Sequence, residues 1–226
     1  KLSQTIFNPE STLFECLENN ENYIIKQIPN EPSNSLLMAY RFAGMIVARA
    51  LIQGELINAH LTRSFLKLIL HHNINLNDVE DADEILFNSL KDIKDNKINE
   101  DPNYDLYFDV TTVGGQIFEL VPNGSQIKVT DENKLDYIQL IAEYRLKKSI
   151  EKQVNAFCSG FDDLISHKNI RIFTPNELCL LICGVADIDV EDLKRNVLIL
   201  QPYNMDTPVV KMFFEVISEW DKQNLT

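Results

Sequence analysis

Four cysteines are the residues of this sequence with the clearest chemical potential, because a thiol can act as a nucleophile or as a metal ligand. They are Cys16, Cys158, Cys179 and Cys183. Cys179 and Cys183 lie four residues apart in LCLLIC, so a helix would present both thiols on one face. No second pair of ligands has zinc spacing, and the apolar neighbours indicate a buried helix. We therefore expect these thiols to pack in the core, and we expect neither a metal nor a cofactor.

The histidines and carboxylates show no further catalytic or metal-binding spacing. His71 and His72 end a predicted helix, where they suit the terminal carbonyl groups better than a metal. The acidic run DVEDADE, residues 78–84, lacks the spacing of a calcium loop and is expected to form a solvated helix N-terminus. No glycine-rich loop that would cradle phosphate is present, so the sequence assigns no catalytic residue.

The charge and the cysteine spacing restrict the kinds of partner and the compartment. Lys and Arg number 21 against 34 Asp and Glu, which gives a net charge of −13. Such a chain repels phosphate backbones, so we expect no nucleic acid and favour a basic protein surface as partner. The spacing of the cysteines indicates no disulfide framework, which favours an intracellular location, cytoplasmic or nuclear. Arg41 and Arg49 interrupt the apolar run 36–52, so it is expected to be a core helix and not a membrane span.

The periodicity of the apolar residues predicts an α+β fold, mainly α-helical with small antiparallel β-hairpins. Residues 12–28 indicate one hairpin, and residues 105–110 and 116–121 indicate another around Gly114-Gly115. Helices are expected at about 35–53, 61–72, 83–94, 131–149 with an extension to 158, 174–183, and from Pro208 onward. Thr174 and Glu177 form a capping box for the helix that begins at Pro175.

The junction PNGSQIKVTDENKLDY, residues 122–137, predicts a turn, a short strand at 127–129 and a helix capped by Thr130. Capping at Thr130 would fix where the helix starts and hence where the ring of Tyr137 points. The helix at 83–94 carries an apolar stripe of Leu86, Leu90 and Ile93 at i, i+4 and i+7. The spacing alone leaves open whether this stripe faces the core or a partner.

The order of several motifs resembles the N-terminal lobe of a HECT-type ubiquitin ligase. The motifs are RFAGMIVARALIQGELINAHLTRSFLKLIL, YDLYFDV, LVPNGSQIKVTDENKLDYIQLIAEYRLKKSIEKQVNAFCSGF, RIFTPNELCLLICGVADIDVEDLKRN and PVVKMFFEVISEWD. The resemblance implies that residues 1–226 form this lobe, with a small docking subdomain near residues 79–132. It also implies that the lobe docks a ubiquitin-conjugating enzyme, while substrate proteins are selected by regions outside this chain.

In the family that this sequence resembles, a smaller C-terminal lobe carries the cysteine that accepts ubiquitin as a thioester and passes it to a substrate lysine. That cysteine has a His-Thr-Cys-Phe-like context, whereas the contexts here are FECLE, AFCSG, LCLLI and LICGV. We therefore expect the catalytic lobe to lie beyond residue 226. The chain would be part of a ubiquitin-protein transferase that binds but cannot transfer ubiquitin alone.

The resemblance also assigns two candidate binding sites. The conjugating-enzyme groove maps onto Leu86, Ser89, Leu90, Lys91, Asp92, Ile93, Leu106, Tyr137 and Ile141. A weaker, noncovalent ubiquitin site of one branch of the family maps near Ser11, Cys16, Val113 and Arg145. Smaller residues replace aromatic ones at several of these last positions, which reduces the apolar contact area available to ubiquitin.

Two other functional classes remain open from the residues alone. One is a helical protein-interaction scaffold without a ubiquitin role, in which the apolar stripe of residues 86–93 is simply core. The other is an autonomous cysteine enzyme, for which the sequence offers no partner base at a recognisable spacing.

Overall fold

The computed structural model describes residues 5–8, 10–17, 22–57, 59–99, 104–184, 193–195 and 197–218. The chain divides into two compact units, Lys1–Gly184 and Val185–Thr226. In the first unit the helices are α1 (Asn34–Gln53), α2 (Arg63–Ile69), α3 (Glu84–Asp95), α4 (Lys134–Leu146), α5 (Glu151–Asp162), α6 (His167–Ile170) and α7 (Pro175–Cys183). The strands are β1 (Phe14–Leu17), β2 (Asn22–Ile25), β3 (His60–Leu61), β4 (Asp109–Thr111) and β5 (Ile117–Glu119). The fold is α+β and mainly helical, as expected.

The strands form two small sheets that confirm both predicted hairpins. β1 pairs antiparallel with β2, with Phe14 opposite Ile25, and β2 pairs parallel with β3. β4 pairs antiparallel with β5, with Val110 opposite Phe118. The third strand predicted at 127–129 is wrong: only an isolated bridge joins Lys128 to Tyr107.

The main core forms where α1 crosses α5. The buried face of α1 consists of Tyr40, Ala43, Gly44, Val47 and Ala48. A ring cluster of Phe14, Phe65 and Phe157 fills the adjoining space, with ring centroids of Phe65 and Phe157 4.9 Å apart. By length and composition alone α1 could cross a membrane. In this fold one face of the helix packs against protein. The predicted C-cap is confirmed, because Gly54 lies in the left-handed region at φ 68°.

A second, smaller core lies within the first unit. Its buried members are Leu90, Ile93, Ile98, Phe108, Val129, Tyr137, Ile138 and Ile141. They come from α3, the β4–β5 hairpin region and the start of α4, so this cluster holds those three elements together. Leu86 packs against both cores and joins them. The docking subdomain expected near residues 79–132 stays a prediction, but these residues do contribute to this cluster.

The helix predicted from residue 131 starts later and is interrupted. α4 begins after Asn133, and a 3-10 turn at Lys148–Ile150 separates it from α5. The predicted cap is wrong, because the residue at the N-cap position is Asn133 and not Thr130. The Asn133 side chain accepts from Thr130 N at 2.7 Å and donates to Lys128 O at 3.1 Å.

The acidic run before α3 is not uniformly solvated, which corrects the expectation from its sequence. Asp78 is only 1% exposed, and its Oδ2 lies 2.7 Å from Lys67 Nζ. The same oxygen accepts from Asn75 N at 2.8 Å, which closes a capping box around the 3-10 turn Leu76–Asp78. A buried carboxylate is tolerated here because a cation and a backbone donor satisfy it.

The second unit contains α8 (Pro208–Ser218), which confirms the helix expected to start at Pro208. Phe214 and Ile217 are its buried residues. The Lys194 ammonium lies 5.8 Å from the centroid of the Phe214 ring, within the range of a cation–π contact.

Candidate functional site

The position of α3 is set at its N-terminus by a capped and ion-paired aspartate. Asp83 Oδ1 accepts from Leu86 N at 3.1 Å, as an N-cap does. Its other oxygen pairs with Arg145 Nε at 2.9 Å, and both side chains are largely buried. Arg145, which the resemblance places at a ubiquitin site, therefore ties α4 to the start of α3. The ion pair and the cap hold the N-terminus of α3 against α4, and the buried Leu90 and Ile93 define its inward face.

Of the nine residues predicted to form a docking groove, four are buried in the core. Leu90, Ile93, Tyr137 and Ile141 are between 2% and 7% exposed and belong to the second core. The expectation of an open apolar trough is corrected, because Leu90 and Ile93 are buried in the second core together with Tyr137 and Ile141 of α4. Whether these positions support a bound partner stays a prediction.

The ring of Tyr137 illustrates this packing. It contacts the Phe108 ring edge-on at a centroid distance of 5.5 Å. Burial, followed by the nearby Asp109 carboxylate, raises the pKa of the Tyr137 hydroxyl above its ordinary value. The phenol is therefore neutral at physiological pH and acts as a packing group beneath the surface.

An exposed strip lies at the edge of the buried stripe. Ile85, Ser89 and Asp92 follow one another at i, i+4 and i+7 on α3, so they share one helix face. Ile85 is 82% exposed although it is a large apolar side chain. The Ser89 hydroxyl donates to Ile85 O at 2.9 Å, which points it back along the helix. The strip thus presents one exposed apolar side chain with polar groups beside it on the same helix face.

The segment after residue 103 borders this strip. The Tyr104 hydroxyl donates to Asp92 Oδ2, and Asn96 Nδ2 donates to Asp92 Oδ1 at 2.6 Å. Leu106 is half-buried and packs against the second core. We call Ile85, Ser89, Asp92, Tyr104 and Leu106 the α3 edge. Sequence reasoning missed Ile85 and Tyr104, since neither belongs to the apolar period that was followed.

Lys91 does not belong to the α3 edge, although the resemblance groups it with Ser89 and Asp92. At 3.6 residues per turn it shares a side of α3 with Asn88 and Asp95. Asn88 lines a separate cleft with Arg63 and Asp81. The structure thus divides the expected polar contacts between two faces of the helix.

The residues of the expected ubiquitin site lie on different segments of the first unit. Val113 is 62% exposed at the tip of the β4–β5 hairpin and lines a cleft with Gln27 and Tyr144. Ser11 accepts from Leu13 N at 3.2 Å in a local turn, and Cys16 lies half-buried on β1. Neither lines the cleft that contains Val113. A role in binding ubiquitin stays a prediction for all of them.

The cysteines fit the expectation of packing only in part. Cys158 is buried, and burial together with the Asp162 carboxylate raises the pKa of its thiol to about 12, which makes it a poor nucleophile. Cys179 and Cys183 are half-buried at the edge of the main core. A hydrogen bond from Cys183 and the nearby His60 lower the pKa of the Cys179 thiol to about 6. Sequence reasoning missed His60, because the fold and not the sequence places it beside these thiols.

Comparison with known proteins identifies the family. The model of the HECT-domain (ubiquitin-transferase) family matches residues 1–226. Similar curated proteins include E3 ubiquitin-protein ligase HACE1 of Danio rerio, 38% identical over 100% of this chain and 24% of the relative. E3 ubiquitin-protein ligase pub1 of Schizosaccharomyces pombe is 35% identical over 98% of this chain and 29% of the relative. UPL2 of Arabidopsis thaliana, also an E3 ubiquitin-protein ligase, is 32% identical over 99% of this chain and 6% of the relative.

The chain thus spans less than a third of the length of these relatives, while they cover nearly all of it. The match of the whole chain to the family model and the identities above 30% agree with the mainly helical α+β fold. The chain belongs to the HECT-domain (ubiquitin-transferase) family.

Proposed function

We propose that this chain is the part of a HECT ubiquitin ligase that docks a ubiquitin-conjugating enzyme, and that the docking surface is the α3 edge. The observation that carries the proposal is the exposed side chain of Ile85 beside the Asp92–Tyr104 hydrogen bond. Ubiquitin would then pass to a cysteine of a catalytic lobe and from there to a substrate lysine. This chain would bind the enzyme without forming the thioester itself.

The packing beneath the α3 edge supports a docking role. Leu90 and Ile93 anchor the helix from below, while Asp83 and Arg145 fix its N-terminus. A surface held on a rigid element loses little conformational entropy when a partner binds. The buried stripe therefore contributes to docking by preorganising the edge and not by direct contact.

The composition of the α3 edge also suits a protein partner. Interfaces combine a central apolar anchor with surrounding polar groups that exclude water and fix register. Ile85 supplies the anchor, and Ser89, Asp92 and the Tyr104 hydroxyl supply polar groups beside it. The net charge of −13 would accelerate encounter with a basic surface on the conjugating enzyme.

A scaffold role without ubiquitin is the second candidate, because burial of the Leu90 and Ile93 side chains removes them as direct contacts. Membership of a ubiquitin-transferase family supports the docking role over this alternative. The two differ in one measurable property, which is whether a conjugating enzyme binds the chain at the α3 edge.

Replacing Ile85 with Asp is expected to weaken binding of a conjugating enzyme by about 30-fold, the loss typical of a central apolar contact. A charged side chain at this exposed position cannot be buried against an apolar partner surface without a large desolvation cost. The affinity would be measured by isothermal titration of the 226-residue chain, with circular dichroism to verify the fold.

Two matched controls accompany this variant. Ile117 on β5 is 69% exposed, so Ile117→Asp adds the same charge to a similarly exposed isoleucine away from the α3 edge. Lys91→Ala tests the other face of α3. Both are expected to leave affinity within about twofold of the unmodified chain, as surface changes outside a contact region do. Equal losses for Ile85→Asp and Ile117→Asp would refute the assignment of the α3 edge.

A further inference from the structure

Three metal-ligating side chains meet between β3 and α7, away from the α3 edge. They are His60, Cys179 and Cys183, and one potential ligand atom from each lies within 4.8 Å of the others. All three residues are half-buried, so they are held in place yet remain open to solvent. This is the metal-ligating cluster found among the described residues, and docking of a partner at the α3 edge does not use it.

The structure of α7 explains why its two thiols face the same way. The helix is fixed at its start by the capping box of Thr174 and Glu177, with Pro175 at the first position. Leu178 and Ile182 are buried, which sets the rotation of the helix about its axis. With that rotation set, residues four apart on the flank present their side chains together.

The chain before β3 is attached to the end of α7 by two hydrogen bonds. Ile57 N donates to Ile182 O at 2.8 Å, and the Cys183 thiol donates to Ala59 O at 3.0 Å. The second bond comes from a cluster member and ends on the residue directly before His60. β3 also pairs with β2, with His60 opposite Asn22. The bond to Ile182 O and the pairing with β2 therefore hold the imidazole beside the thiols, and both remain when the Cys183 thiol loses its proton.

Two thiolates and an imidazole are ligand types that zinc commonly takes in proteins. Tetrahedral zinc with bonds of about 2.3 Å to sulfur and about 2.0 Å to nitrogen needs ligand atoms roughly 3.5–3.8 Å apart. The cluster is within reach of this geometry after side-chain shifts of about 1 Å. Cys183 is the last residue of α7, and the carbonyl end of a helix favours a nearby cation.

We propose that His60, Cys179 and Cys183 form a zinc-binding site whose fourth position is open to water. Binding converts both thiols to thiolates and releases their two protons to solvent, so the charge of the zinc ion is balanced. The ion joins β3 to α7 and links two segments that are far apart in sequence. It thereby stabilises the folded state of the first unit, since only the folded chain brings the three ligands together.

The test uses the 226-residue chain, freshly reduced and freed of metal, titrated with Co²⁺ and then with Zn²⁺. The expected result is one equivalent of Co²⁺ with thiolate-to-cobalt charge-transfer absorption and tetrahedral d–d bands, both abolished by Zn²⁺. His60→Gln, Cys179→Ser and Cys183→Ser are each expected to weaken Zn²⁺ binding at least ~100-fold in competition with a chromogenic chelator. Loss of a group that only hydrogen-bonds to a metal ligand already lowers metal affinity about 10- to 100-fold.

Two controls separate this cluster from other thiols and histidines. Cys16→Ser removes a half-buried cysteine on β1, and His71→Gln removes one ring of the His71–His167 contact, whose centroids lie 4.2 Å apart. Both variants are expected to keep full affinity. Thermal unfolding with and without Zn²⁺ gives a second readout: the midpoint should rise in the unmodified chain and in the controls, but not in Cys179→Ser.

Three outcomes would overturn the proposal. One is the absence of charge-transfer bands at saturating Co²⁺. Another is retention of Zn²⁺ affinity by Cys179→Ser and Cys183→Ser, each verified as folded by circular dichroism. The third is a reduced chain that takes up no metal but forms a Cys179–Cys183 disulfide with oxidised glutathione, which would assign the pair to redox chemistry.

Discussion

Substitution of Gly44 by alanine is expected to lower the free energy of unfolding by about 3 kcal/mol or more, the upper range for overpacking a core. A Cβ atom at Gly44 would lie 2.0 Å from Phe157 O, and one at Gly160 would lie 1.9 Å from Arg41 O. Each helix thus has a glycine where the backbone of the other helix comes closest. Since the clashing atoms are backbone oxygens, no side-chain rotation can relieve the clash.

The matched control is Gly54→Ala, where a Cβ meets nothing within 4 Å but φ is 68°. It is expected to cost only about 1–2 kcal/mol, the ordinary penalty of left-handed backbone for alanine. Urea unfolding monitored by circular dichroism measures both values. If Gly44→Ala lowered the free energy of unfolding no more than Gly54→Ala does, the described close approach of α1 and α5 would be contradicted.

Substitution of Asp78 by asparagine is expected to destabilise the chain by roughly 3–5 kcal/mol, because it leaves a buried cation without its counter-charge. Lys67 Nζ lies 2.7 Å from Asp78 Oδ2, and the two side chains are 11% and 1% exposed. Asparagine keeps the size of the side chain, so the effect reports charge and not a cavity. Adding Lys67→Met to this variant should recover part of the loss.

An exposed ion pair provides the comparison. Lys148 Nζ lies 3.2 Å from Glu151 Oε1 with both side chains about half exposed. Glu151→Gln is expected to cost less than about 1 kcal/mol, because solvent screens such pairs. Chemical denaturation of the two variants side by side tests the difference. Similar losses for Asp78→Asn and Glu151→Gln would contradict the burial of the Lys67–Asp78 pair.

Features governed by local chemistry could be predicted from the sequence. The capping box of Thr174 and Glu177 is present, and Gly54 ends α1 in the left-handed region as expected. Each depends on a few consecutive residues: the side chains of Thr174 and Glu177 bond to free backbone groups, and Gly54 adopts a left-handed backbone that lets its own N–H reach the carbonyl end of α1. The start of α4 differs from the prediction: the Asn133 side chain accepts from Thr130 N and donates to Lys128 O, and the helix begins after Asn133.

Features that depend on which segments meet were less predictable. The spacing of Leu86, Leu90 and Ile93 predicts a helix with one apolar face, but it does not reveal whether another helix packs against that face. Asp78 looked solvated because its buried partner, Lys67, lies on another element. His60 carried no signal of its own, since its neighbours Cys179 and Cys183 are more than a hundred residues away in sequence. Tertiary contacts decide all three cases.

The central claim, docking at the α3 edge, is tested most directly by hydrogen exchange of the 226-residue chain with and without a ubiquitin-conjugating enzyme. The account predicts that a complex forms and that backbone amides of α3 and of residues 104–106 gain protection. Amides of β5 and α7 should exchange at unchanged rates. A complex that leaves α3 unprotected, or no complex at saturating enzyme with the chain folded, would contradict the account.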